Sequence, residues 1–89
     1  MPIATLSAAE RIARVLAGQR ASANAEGDEA SASRMVEQNW RDHLTDAVAV
    51  LKTLREPDER MAQAGDAATW ERMVLAAIEQ TEPEKEAIA

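Results

Sequence analysis

The chain has one histidine, His43. Asp46 lies three residues on and Asn39 four before, so on a helix the three side chains share a face. A His and an Asp at that spacing could share a metal ion. A specific site needs three or four ligands, and there is no second His and no Cys to complete the set. His43 also adjoins Trp40 and Leu44, where a half-buried imidazole or a surface ion pair needs no ligand. No metal site is expected.

Other chemistry is equally short of companions. A nucleophile needs a base held by a third group, but Ser7, Ser22, Ser31 and Ser33 fall at helix starts or in a featureless stretch. None is in the strand-turn-helix context that exposes a catalytic serine. Glu56, Asp58 and Glu59 could do acid–base work, yet they flank Pro57, where carboxylates are explained by the start of a helix. Gly18, Gly27 and Gly65 are isolated, so no glycine loop cradles a phosphate. The sequence thus implies no catalytic residue and no cofactor, and a non-enzyme is expected.

The elements that would carry these residues are helical. There is no Phe or Tyr, no alternating β-branched run and no hairpin dipeptide between apolar segments. Ala, Glu, Arg and Gln, all good helix formers, are abundant. Ser7-Ala8-Ala9-Glu10 is a capping box, in which the serine oxygen takes an orphan N–H and Glu10 reaches back. It opens a first helix, 7–22, with Ala9, Ile12, Ala13 and Leu16 on one face. Gly18 weakens its continuation. Residues 23–32 contain no large apolar side chain and read as a flexible linker.

The second helix is expected over 33–55. Trp40, Leu44, Ala47, Leu51 and Leu54 are spaced as a heptad seam, with Val36 before them and Val48 and Val50 widening the stripe. The seam is short, which suits a bundle, and the helix would be about 35 Å long at roughly 1.5 Å per residue. Pro57 disfavours helix at Glu56 and suits the first position of a new one. Asp58 and Glu59 then place negative charge at its positive end. Glu56-Pro57 is therefore a structural junction. A short helix over 57–64 ends at Gly65, a favoured terminator. Asp66 can cap a last helix, 67–81, whose face carries Trp70, Met73, Val74, Ala77 and Ile78. Residues 82–89 form a frayed tail.

The pattern W-x-x-x-L-x-x-A-x-x-x-L-x-x-L-R-E-P from Trp40 to Pro57, then M-x-x-A-G from Met61 and W-x-x-M from Trp70, resembles uncharacterised short helical proteins encoded in alphaproteobacterial and phage or prophage genomes. His43 stands where that pattern has an aromatic residue. The resemblance implies a bacterial or phage origin and no reaction type.

Composition sets the remaining bounds. Of 89 residues, 46% are hydrophobic, but 20 of those are alanine and only 21 are large. A large apolar side chain yields roughly 1.5–3 kcal/mol on burial, while ordering each residue costs about 1.5 kcal/mol. A single domain so built is marginal alone, and a homo-oligomer or an unidentified protein partner is expected to cover more of it. No apolar run approaches the roughly 20 residues of a membrane span, and none resembles a signal peptide. A soluble, cytoplasmic protein is expected.

The net charge is −6, unevenly spread: residues 1–25 sum to +2, 26–46 to −4, 47–65 to zero and 66–89 to −4. An acidic surface repels phosphate backbones, so direct nucleic-acid binding is disfavoured. The basic first segment could face an acidic surface of another subunit, or serve only solubility.

The expected fold is all-α, a small helical bundle around a long central helix. Three main helices are joined by one short helix after Pro57. Ile12, Leu16, Trp40, Leu44, Leu51, Leu54, Trp70 and Met73 serve as core or interface anchors. The expected function is a non-enzymatic interaction or assembly module, self-associating through the apolar faces of the first two helices. The alternative is an acidic regulator that competes with nucleic acid for a DNA-binding partner, and an enzyme or metal-binding protein ranks third.

Overall fold

The computed structural model describes the backbone of residues 3–25 and 29–81 and the side chains of residues 3–21 and 33–81. The fold is all-α. The helices are α1 (Ala8–Ala25), α2 (Glu29–Asn39), α3 (Leu44–Leu54), α4 (Glu59–Ala64) and α5 (Ala67–Thr81), with a 3-10 turn, Trp40–His43, joining α2 to α3. No strand occurs among the described residues. The chain divides into two compact units, Met1–Ala47 and Val48–Ala89, the boundary falling inside α3.

In the first unit α1 packs along α2 and the 3-10 turn. Ser7 caps α1, its Oγ accepting from the Glu10 N–H at 3.1 Å. The other half of the expected capping box does not form. Glu10 turns its carboxylate to Arg14 instead, Oε2 to Nε 2.8 Å, because a charged donor one turn on is a stronger partner than a neutral N–H.

The core face of α1 is a stripe of alanine. Ala9, Ala13, Ala17 and Ala21 are each at most 3% exposed. Side chains this small let neighbouring helices approach closely. At Gly18, too, an added methyl would lie 3.7 Å from Val36 Cγ2, in ordinary contact. Ala13, Ala17, Trp40 and Ala47 form the buried cluster, with Ile12, Val36 and Leu44 packed against it.

This stripe corrects the domain reading. The segment expected to be a linker, 23–32, is mostly helix: α1 runs on to Ala25 and α2 begins at Glu29. A segment without large apolar residues was expected to have no anchor. Alanine, the best helix former, carries much of the backbone of this segment. Residues 26–28 lie outside the described residues, as does the expected tail 82–89.

The helix expected over 33–55 is also interrupted. At Asn39 φ is −118°, well off the helical value of about −63°, and the next four residues take the tighter 3-10 geometry. The chain returns to α-helix at Leu44 and leaves it at Leu54, one residue early. Within α3 the buried positions are Ala47, Val48 and Leu51, while Leu54 is 40% exposed. The buried stripe therefore takes in Val48 and stops short of Leu54, the last position of the expected seam.

Among the described residues of the second unit, Val48, Leu51, Val74 and Ile78 are the buried apolar ones. The short helix starts later than expected, at Glu59 rather than Pro57. Asp58 is its cap, extended at φ −80°, ψ 176°, and its carboxylate accepts the Met61 N–H at 2.9 Å. Proline has no side-chain acceptor, so it stands just outside the cap and its neighbour fills it. Asp66 caps α5 in the same way, accepting from the Thr69 N–H at 3.2 Å. Between them Gly65 is extended (φ −163°), a conformation that does not require glycine.

Candidate interaction groove

The residues singled out for chemistry do not assemble into a site. His43, Asn39 and Asp42 line one side of a cleft of about 350 Å³, opposite Arg20, with Ala17 and Ala21 forming part of its wall. Asp46, the expected companion of His43, is exposed and is not among the lining residues. The 3-10 turn explains this exchange, since its three-residue period stacks Asp42 over Asn39. Among the described residues, no group of three or more His, Cys, Asp or Glu is placed to hold a metal.

Trp40 is the centre of a polar arrangement that the sequence did not signal. The Arg14 guanidinium lies 5.1 Å from its ring centroid and that of Arg41 lies 4.5 Å away, both in cation–π range. Arg14 also donates to Glu37, Nη1 to Oε1 2.7 Å, and to Glu10. One arginine from α1 thus binds a carboxylate of its own helix, a carboxylate of α2 and the tryptophan face. The hydrogen bond from Arg14, reinforced by its charge, holds the Glu37 carboxyl below the usual carboxylate range. The same bonds, that to Glu37 foremost, raise Arg14 above its usual value. This is a structural lock. It seals the rim of Trp40, which is 9% exposed.

The surface with the properties of a binding site lies in the second unit. After Pro57 the chain turns through α4 and α5 and leaves a groove of about 360 Å³, lined by Pro57, Met61, Ala64, Trp70 and Met73, with Asp66 as the charged residue on its wall. Met73 is 65% exposed and Met61 38%. Trp70 is half-buried: it lines the groove, and its Nε1–H donates to the Leu54 carbonyl at 2.7 Å. That carbonyl is among the last four of α3, which have no partner within the helix, so the indole caps α3 and is fixed in place by doing so.

The expected anchors therefore separate. Trp40 and Leu51 are buried; Ile12, Leu16 and Leu44 are half-buried; Leu54 and Met73 are exposed. The face expected on the last helix is narrower than drawn. Val74 and Ile78 are buried, and Met73 lies about a third of a turn from their stripe at 100° per residue. Glu56 is exposed and Pro57 partly covered; the junction they mark shapes one end of the groove. Of the apolar faces expected to join subunits, those of the first two helices, Ala13, Ala17 and Trp40 lie in one buried cluster, against which the half-buried Ile12 and Leu44 pack.

Among the described residues, no helix is long and apolar enough to cross a membrane. The chain matches no protein-family model, no curated protein and no solved structure.

Proposed function

We propose that this protein is a non-enzymatic interaction or assembly module that works through the α4–α5 groove and associates with itself. The supporting observation is how little of the second unit's apolar surface is covered. Of its ten large apolar side chains from Val48 to Ile78, five are exposed: Val50, Leu54, Met61, Met73 and Leu75. Scattered apolar residues on a surface are ordinary, but Met61 and Met73 line the groove together with Trp70, and a concave apolar surface with a polar rim marks an interaction site. A half-buried tryptophan at its centre is a common binding anchor, and methionines adapt to an apolar partner. The cytoplasm is the compartment we assign it, and the pattern from Trp40 to Met73 is the ground for a bacterial or phage source.

Size exclusion with light scattering over a range of concentrations tests the reading. A mass above that of one chain, falling on dilution, is the expected result. The variant Met73→Glu places a charge in the groove at an exposed position and lowers that mass while leaving helical content intact. A strict monomer at the highest concentration overturns self-association.

A further inference from the structure

We infer that the occupant of the groove is the first segment of a second copy of this chain, the stretch from Ile3 to Val15, so that copies join head to tail. This rests on the groove being the interaction site. Among the described residues of the first unit the exposed large apolar ones are Ile3 (93%), Leu6 (42%) and Val15 (60%), and all fall in this one stretch. Exposed Arg11 stands between the last two. Its Nε donates to the Leu6 carbonyl at 3.2 Å, and Val15 lies one turn further along the same helix face. Leu6, Arg11 and Val15 therefore form one apolar line with a cation in it.

The groove supplies the complement. Its wall carries Asp66, and the two turns that frame it place Asp58, Glu59 and Glu71, all exposed, against Arg60 and Arg72. The balance there is negative, while Ile3–Val15 carries Arg11 and Arg14 against Glu10 and so sums to +1. Opposite charge beside apolar contact selects a register and a partner more than it adds affinity. The two surfaces are different patches of the same chain. A contact between them is heterologous and leaves a free groove at one end and a free first segment at the other.

Mixing two variants tests this. Arg11→Glu/Val15→Glu removes the basic apolar line but keeps the groove; Met73→Glu blocks the groove but keeps the line. All three positions are exposed, and circular dichroism checks that both variants keep wild-type helicity. Each variant alone is expected to be monomeric where the wild type associates. An equimolar mixture is expected to form a one-to-one heterodimer and nothing larger. Wild-type association is expected to weaken with added salt, since exposed charges are screened within about 10 Å at 0.1 M.

If Arg11→Glu/Val15→Glu keeps the wild-type mass, grooves pair with one another and the head-to-tail contact is wrong. Two monomeric variants that fail to combine also overturn it. A monomeric wild type removes the groove reading itself, which the other outcomes leave standing.

Discussion

The two units solve the problem of a small apolar inventory in opposite ways. The first spends alanine. Four alanines on α1 come within 3% of full burial, one tryptophan fills the space they leave, and Arg14 closes the rim by binding Glu10, Glu37 and the ring. The second has larger side chains but leaves half of them outside. Close helix packing hides a surface completely when the side chains are short, because dispersion falls off steeply with distance. Long, flexible side chains such as Met61 and Met73 on a turn and a helix edge need an external body to cover them. The first unit closes over its alanine face and leaves Ile3, Leu6 and Val15 outside, whereas the second leaves a groove open.

The largest effect that could break this contrast is at the two tryptophans. Trp40→Ala removes the one large ring of the closed core and is expected to cost about 3–5 kcal/mol, read as a fall in the urea or thermal midpoint by circular dichroism. Trp70→Phe keeps an aromatic wall but loses the bond to the Leu54 carbonyl, 2.7 Å long. It should cost only about 0.5–1.5 kcal/mol. Equal losses would mean that the two rings play the same role.

Ala13→Leu probes the stripe directly. Ala13 is fully covered, so the added carbons have nowhere to go, and overpacking is expected to cost about 1–3 kcal/mol. A neutral result in the same melt would show that α1 and α2 are not held at close range by their small side chains.

Gly18→Ala has the opposite sign. The new methyl would meet Val36 at 3.7 Å without collision, and alanine in a helix interior is favoured over glycine by about 0.5–1 kcal/mol. A rise in the midpoint is expected, and a fall would indicate that the helices are closer than the structure places them.

The smallest expected effect is that of pH on the Arg14 lock. The Glu37 carboxyl is held below its ordinary value by Arg14, so the folded chain binds its proton less readily than the unfolded one. Its contribution is present above the ordinary glutamate range and is lost as pH falls through the depressed folded value. Glu37→Gln should remove this component of the acid dependence of the thermal midpoint. An unchanged acid profile would place the lock in solvent, with no bearing on the closed core.

How much was legible beforehand varies by element. The last helix was read from Asp66 and the Trp70 face at its observed bounds, because a capping carboxylate and a 3.6-residue period are both local signals. The segment 23–32 was misread for the converse reason. Alanine and serine without a large residue carry no apolar period, so a linker and a helix look alike in sequence there. The 3-10 turn at Trp40–His43 is not legible either, because the seam spacing runs regularly through it. Of the groove, Pro57, Met61, Trp70 and Met73 were all noticed one by one. That Met73 is turned outward from Val74 and Ile78 was not.

What the sequence alone determined is the all-α class, the caps at Ser7 and Asp66, the helix break around Glu56-Pro57 and the scarcity of groups for chemistry. Each depends on bonds within a few residues or on composition, and neither needs a distant partner. The tertiary structure decided which apolar face is spent inside the chain and which is left outside. Periodicity marks a face as apolar, but burial depends on what lies across from it. In this protein the alanine face met a close neighbour, and the methionine face was left open.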